Sequence, residues 1–486
     1  MKNKLLGISV LGFISLNVMG QTNKRPNVIF VLADEWRAQA TGFNGDPNVR
    51  TPELDRLADR SVNMSNTISC CPVSGPYRAS LMTGQYPLTN GFFINDVEID
   101  PNANSMGKIY KAAGYETAYI GKWHVDGHGR NSFIPKSRRQ GFDYWKVLEC
   151  THNYNNSIYW DNDDQLRKWK GYDAIDQTRD AVEYLSTKNS DDKPFLLFLS
   201  WGSPHSPYGT APSRFKAPYK KMNLKLRNNV PDSLKQKAIN DLIGYYSHIS
   251  ALDSCIGLLQ QAIRKNKLAK NTIFVFTSDH GALLRSHGFQ YKQQAYDESI
   301  KVPFLINYPR LLGDKKKIID TPICTPDLLP TLLSLSNITI PQSIEGEDQS
   351  KLLMGENIQE DNAVLIACYQ PFGQWNIFKG REYRGVRTKQ YTYVKDLKGP
   401  WMLFDNYKDP YQMNNLVNNP PYKLIENDLE VKLNQLLNKT NDAFLPGMAY
   451  VNKWGYKVNK TGTASYRGTN FKGEIIIEPN MKNIPY

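Results

Sequence analysis

Cysteine is scarce, with six in 486 residues. That is too few for a disulfide scaffold, and no two stand in C-x-x-C spacing, which excludes a structural zinc ribbon. Internal repeats and low-complexity linkers are missing as well, so the chain is neither a solenoid nor a string of tethered modules. Long apolar runs are limited to one, Leu5 to Met19, preceded by Lys2 and Lys4. It is too short and too broken by Gly and Ser for a good membrane span. With Val18-Met19-Gly20 ahead of polar Gln21, it reads as a secretory signal peptide over residues 1–20. No Cys follows it, so a lipoprotein anchor has no sequence support. The expectation is an exported protein, periplasmic or secreted.

What is present is an ordinary globular composition, 40% hydrophobic and 22% charged, with ample apolar content for a core. The formal charge is +13, and +11 without residues 1–20, which carry two lysines and no acid. A basic exported protein meets polyanions, and sulfated or phosphorylated glycans fit that setting better than nucleic acid.

Short continuous apolar runs alternate with helical patterns. Asn27–Ala33, Glu116–Ile120, Pro194–Trp201, Thr272–Thr277 and Val302–Tyr308 read as strands buried on both faces, the mark of a parallel sheet. Helical patterns start at Thr51-Pro52-Glu53, where Thr is a cap and Pro opens the helix, and run over 174–187, 234–267 and 326–335. This alternation predicts an α/β domain with a mainly parallel sheet over residues 21–360. From 361 to 486 the pattern changes. Short strands at 363–369, 383–387 and 391–394 and a helix at 428–437 predict a smaller antiparallel sheet carrying a helix, then an aromatic-rich tail.

Open parallel sheets bind ligands beyond the carboxyl ends of their strands. The first strand ends in Asp34-Glu35, the next in Gly121-Lys122-Trp123-His124, the third in Gly202-Ser203-Pro204-His205, and the fourth in Ser278-Asp279-His280-Gly281. Three of only seven histidines stand at these ends. The carboxylates with His280 suit a hard divalent cation, Ca²⁺ ahead of Mg²⁺, better than zinc. The bland alternatives are a rim ion pair for Glu35 and a helix cap for Asp279.

The most specific motif is C70-C-P-V-S-G-P-Y-R-A-S-L-M-T-G-Q-Y-P87. Within it Ser74, Pro76 and Arg78 fit S/C-x-P-x-R, and Thr83-Gly84 follows. This resembles the signature of the type I sulfatases of the alkaline-phosphatase-like superfamily, in which the Ser or Cys is oxidised to formylglycine. The resemblance extends from Pro26 to about Leu416. It takes in Asp34-Glu35, Gly121–His124, Pro204-His205-Ser206-Pro207, Thr277–Gly281, Ser286-His287-Gly288 and Lys292. It implies that Ser74 becomes the nucleophile, oriented by Arg78. Asp34, Glu35, Asp279 and His280, with the Ser74 group, would then ligate calcium. Lys122, His205 and Lys292 would hold the sulfate, with His205 the acid for the leaving alcohol and His124 the base that releases sulfate. Two positions depart from the family pattern, which usually has Asp at Glu35 and often Asn at His280. A Ser at position 74 implies a radical maturase as partner. Cys70 and Cys71 are read as buried small hydrophobes, and His128 and His287 as site residues or satisfied loop histidines.

The resulting expectation is hydrolysis of a sulfate ester on a glycan. The alternatives are a metal-dependent phosphodiesterase or phosphatase of the same superfamily, and a silent glycan-binding protein. Residues 125–165 form a long insertion in which Tyr144, Trp145, His152, Tyr154, Tyr159 and Trp160 stand among Arg130, Lys136, Arg138 and Arg139. These rings are read as platforms for sugars, or else as a cluster that staples the insertion down.

Overall fold

The computed structural model describes residues 24–356 and 362–466. The reading of residues 1–20 as a signal peptide, and the end of the tail, lie outside them. Ten strands form the large sheet, in the order 317–319, 62–64, 304–307, 272–278, 27–34, 195–204, 116–122, 144–148, 158–160, 166–168. Asn27–Asp34 lies at its centre, parallel to both Phe195–Pro204 and Thr272–Ser278. Glu116–Lys122 and Tyr144–Leu148 continue the parallel run on one side.

Alternation along the first strand divides the molecule into two cores. Val28, Phe30 and Leu32 belong to one apolar cluster, while Ile29, Val31 and Ala33 belong to the other. The long helix Lys235–Lys265 and the helix Asp173–Ser186 cover the second face. These helices fall where periodicity placed them.

Two local expectations are corrected. The run 302–308 was read as a parallel strand, but Phe304–Asn307 pairs antiparallel with Thr272–Ser278, and Lys301–Val302 joins a separate three-stranded sheet. A continuous apolar run reports burial on both faces and carries no information about direction. Thr51 stands at the N-cap position with Pro52 opening the helix, as read, yet its side chain makes no cap bond to Pro52–Ala58. Asp253 from the long helix accepts the Glu53 and Leu54 N–H groups instead, at 3.1 and 2.8 Å.

The smaller antiparallel sheet has four strands, Val364–Cys368, Tyr383–Arg387, Tyr391–Asp396 and Gly399–Asp405. Helix Lys423–Lys439 packs on it through Leu429, Leu433 and Leu437. Its core is continuous with one core of the large sheet. The Ala367 N–H donates to the Cys70 carbonyl at 2.8 Å, so the small sheet buttresses the segment that leads into Ser74. All six cysteines are buried and free, Cys70 and Cys71 among them, as read. No helix among the described residues is long and apolar enough to cross a membrane.

Candidate active site

Glycine at two positions lets the backbone approach closely enough to assemble the site. Gly121 has φ +104°, and a Cβ there would lie 2.0 Å from the Ser200 carbonyl oxygen. A Cβ on Gly75 would lie 2.4 Å from the Phe92 ring and 2.8 Å from Asn95 Oδ1. Helix Ser74–Thr83 can therefore start beside Asn95, which accepts the Gly75 N–H at 2.9 Å. Ser74 opens this helix and is buried. Its position favours an anion nearby, because unpaired N–H groups and the positive end of the helix dipole gather there.

Asp34 is the hub. Its Oδ2 accepts from Lys122 Nζ at 2.6 Å and from Arg78 Nη2 at 3.0 Å. Arg78 also donates to Ser200 Oγ at 2.6 Å and to the Lys122 carbonyl at 3.1 Å, which fixes its guanidinium on three sides. Burial opposes the charge on Asp34, but the Lys122 charge, with Arg78 beside it, holds its carboxyl well below the usual range. Ser74 Oγ lies 3.4 Å from both Asp34 oxygens and 3.0 Å from His280 Nε2.

Ligand atoms of Asp34, Asp279 and His280 lie within 4.8 Å of one another, all buried. Asp279 Oδ1 accepts the Glu35 and His280 N–H groups, each at 2.9 Å, while its buried Oδ2 has no hydrogen-bond partner and faces Arg78 Nη2 at 3.5 Å. Burial, and then the neighbouring Asp34 carboxylate, pushes Asp279 up to about 7. Burial, and then Lys292, pulls His280 down to about 3, which leaves a neutral imidazole able to ligate. Two carboxylates, one with a buried oxygen that no hydrogen bond satisfies, and a neutral imidazole fit a divalent cation.

Glu35 is not in that group. Its backbone has φ 65°, a left-handed conformation costly for Glu. Its carboxylate accepts from Tyr208 OH at 2.9 Å and from Lys292 Nζ at 2.9 Å, and lies 3.1 Å from His205 Nε2. Its side-chain contacts are thus with Lys292 and His205, the residues read as sulfate-binding.

Lys292 and His205 form a pair, Nζ to Nε2, at 2.6 Å. His205 Nδ1 faces the Ser206 carbonyl at 2.9 Å. Burial, and then the Lys292 charge, lowers His205 well below the ordinary imidazole range, so the ring is neutral and accepts the Lys292 N–H. His124, also with a positive φ of 61°, is held down to about 3 by burial and then by Lys122. Its Nε2 lies 3.6 Å from Asp96 Oδ1, and Arg130 grips Asp96 through two bonds of 2.9 and 2.8 Å.

Sequence reasoning missed Asn95, Asp96, Ser200 and Tyr208. Ser200 lies within a strand read from the sequence and the others in no periodic pattern, and only their contacts reveal their part in the site. His128 and His287 are loop histidines. His128 faces Asp126, and His287 pairs with Asn229 at 3.0 Å and stacks on Tyr296.

The aromatic insertion departs from the sugar-platform expectation. Trp145 and Tyr154 are fully buried, Trp145 against Tyr119 and Trp123. Tyr159 stacks on Trp169, and Tyr144 packs on Tyr184. Trp160 packs on Phe133 and donates Nε1–H to the Asn131 carbonyl at 3.0 Å. Arg139 lies over Trp145, and Arg138 pairs with Asp126. A cleft of ≈ 430 Å³ does open beside Lys292, lined by Asp96, Arg130, Tyr291, Trp375 and Phe378. A larger groove of ≈ 670 Å³ lies by Glu116, at the opposite ends of the strands, and contains none of the site residues.

Sequence comparison decides which chemistry this arrangement serves, since a model of the sulfatase family matches residues 26–338. The chain belongs to the sulfatase family. A second model, for the C-terminal part of N-sulphoglucosamine sulphohydrolase, matches residues 285–439 of this sulfatase. It is 44% identical over 456 residues to an ulvan-active sulfatase of Formosa agariphila, covering 93% of this chain and 89% of that protein. It superposes with TM-score 0.79 and 26% identity on a solved structure described with the metabolism of multiple glycosaminoglycans by Bacteroides thetaiotaomicron, over 88% of this chain and 99% of that one. The fold also resembles a phosphonate monoester hydrolase of Agrobacterium radiobacter, with TM-score 0.70 at 18% identity over 86% of this chain and 96% of that one. Fold alone therefore does not separate sulfate from phosphorus esters. Family membership does, and hydrolysis of sulfate esters is this enzyme's reaction. The family implies a formylglycine and a divalent metal, and the Asp34, Asp279 and His280 group fits the metal.

Proposed function

We propose that this sulfatase desulfates a carbohydrate, with Ser74 as the residue converted to formylglycine by a radical maturase and Ca²⁺ as the metal. The observation that carries the reading is the convergence of Asp34 and His280 on Ser74 at the start of a helix, with Arg78 and Lys122 both bonded to that same Asp34. Support for a sugar substrate comes from the ulvan-active relative and from the +11 charge outside residues 1–20, which suits a polyanion. The Lys2–Gly20 pattern supports export to the periplasm or beyond.

Asp34, Asp279 and His280 would hold the ion with the Ser74 group. When bound, metal and aldehyde hydrate supply an acidified nucleophilic hydroxyl and a counter-charge for sulfate. This chain's own residues do the rest. Lys122 and Lys292 bring fixed positive charge to the sulfate oxygens, where charge grows in the transition state. Arg78 fixes the orientation of Asp34 and of the helix start. His205 protonates the leaving alcohol from Nε2 with a proton taken up from solvent, while Lys292, 2.6 Å away, keeps its charge. His124 accepts a proton at the end of the cycle, oriented by Asp96, which Arg130 holds in turn. Glu35 acts through Lys292 and His205 and keeps both beside the sulfate.

The test is release of inorganic sulfate from defined sulfated mono- and oligosaccharides, beside 4-nitrophenyl sulfate and 4-nitrophenyl phosphate. The reading expects turnover of at least one carbohydrate sulfate above the aryl ester. Aryl turnover with every carbohydrate untouched would reject the glycan assignment.

A further inference from the structure

His152 belongs to the insertion, is exposed, and stacks on His205 with ring centroids 4.8 Å apart and planes 26° from parallel. It is the one ring of the insertion aromatics that packs against a residue of the site. Its placement is built. Tyr154 OH donates to the Gly202 carbonyl at 3.0 Å and to the Ser206 carbonyl at 3.3 Å. Asn155 Nδ2 donates to the Thr210 carbonyl at 2.8 Å. These bonds clamp the His152 loop onto the loop that carries His205. A neutral imidazole offers one N–H donor and one acceptor, the pair that a sugar hydroxyl can satisfy.

We infer that His152 is a substrate-contacting specificity residue, hydrogen-bonding a hydroxyl of the sugar ring that bears the sulfate. The inference rests on the reading that His205 faces the leaving alcohol. If it does, the ring carrying that oxygen must extend past the exposed imidazole stacked on His205. An aryl sulfate has no hydroxyl to offer there, so His152 separates sugar from aryl substrates. The other aromatic rings of the insertion act as its support.

The experiment compares His152→Ala, His152→Phe and His152→Gln with wild type on the best-cleaved sulfated monosaccharide and on 4-nitrophenyl sulfate. Loss of one hydrogen bond to substrate predicts that His152→Ala lowers kcat/KM on the sugar by about 10- to 100-fold. The aryl ester should change less than about threefold, the scale of a contact that does not serve it. His152→Phe keeps the stacking on His205 and should lose as much on the sugar as Ala, whereas Gln should recover part of it. Equal losses on both substrates, or rescue by Phe, would overturn the inference and make His152 a support for His205. If wild type cleaves the aryl ester and no sugar, the carbohydrate reading itself fails, an outcome visible before any variant is made.

Discussion

Asp34 and Trp145 are both fully buried, yet burial means opposite things at the two positions. At the strand ends a carboxylate stays charged because Lys122 and Arg78 meet it directly, at a cost in desolvation that only function explains. In the insertion an indole is buried because its ring fills space against Tyr119 and Trp123. One wall of the site is charge held out of water; the other is apolar scaffold with a single exposed imidazole. Residue type therefore signals chemistry where burial is expensive, and says little where burial is cheap.

The comparison breaks most visibly at the metal wall. Asp279→Asn should lower kcat/KM by about two to three orders of magnitude, the several kcal/mol that a metal supplies to such a transition state. Chelator-stripped wild type should regain activity with Ca²⁺, read by sulfate release. Recovery with zinc and none with calcium would point to the phosphatase-like ligand chemistry instead.

The scaffold wall should respond in stability. Trp145→Ala should cost about 3–5 kcal/mol on thermal or urea unfolding, as large-to-small core changes do. Activity of the folded fraction should fall equally on sugar and aryl sulfates. A selective loss on sugars would return Trp145 to the role of a sugar platform.

A smaller effect sharpens the same contrast. Glu149, in the insertion, accepts the Asp126 and Gly127 N–H groups at 2.8 and 3.1 Å, and its other oxygen is buried without a partner. Burial, and then Asp126, raises it from 4.5 to about 8. The folded state then binds a proton that the unfolded state releases, so this group's stabilising effect is full below about 4.5 and is lost as pH rises towards 8. Wild type should therefore lose Tm relative to Glu149→Gln between those limits. A difference that does not change with pH would show that Glu149 is already ionised.

How much of this was legible follows the same division. Strand-end residues could be read because a buried strand announces itself and the next residues must lie at the sheet edge. That placed Asp34, Lys122, His124, His205, Asp279 and His280 together. The contacts of Glu35 were not legible, since no spacing announces the positive φ at that residue. Asn95, Asp96 and Tyr208 lie on irregular segments whose position depends on contacts distant in sequence. The insertion's rings were visible as rings, but which faces they present depends on packing that no spacing encodes. The small sheet was read with three strands; Gly399–Asp405, its fourth, opens with Gly-Pro, a poor strand signal.

The most direct measurement concerns Ser74 itself. The enzyme should be produced with a Ser-type maturase, its Ser74 peptide analysed by mass spectrometry, and sulfate release assayed on the same preparation and on Ser74→Ala. The account predicts a peptide two hydrogens lighter, reactive toward carbonyl reagents. Turnover should track the converted fraction and vanish in Ser74→Ala. Full turnover from a preparation whose Ser74 is wholly unmodified would contradict it.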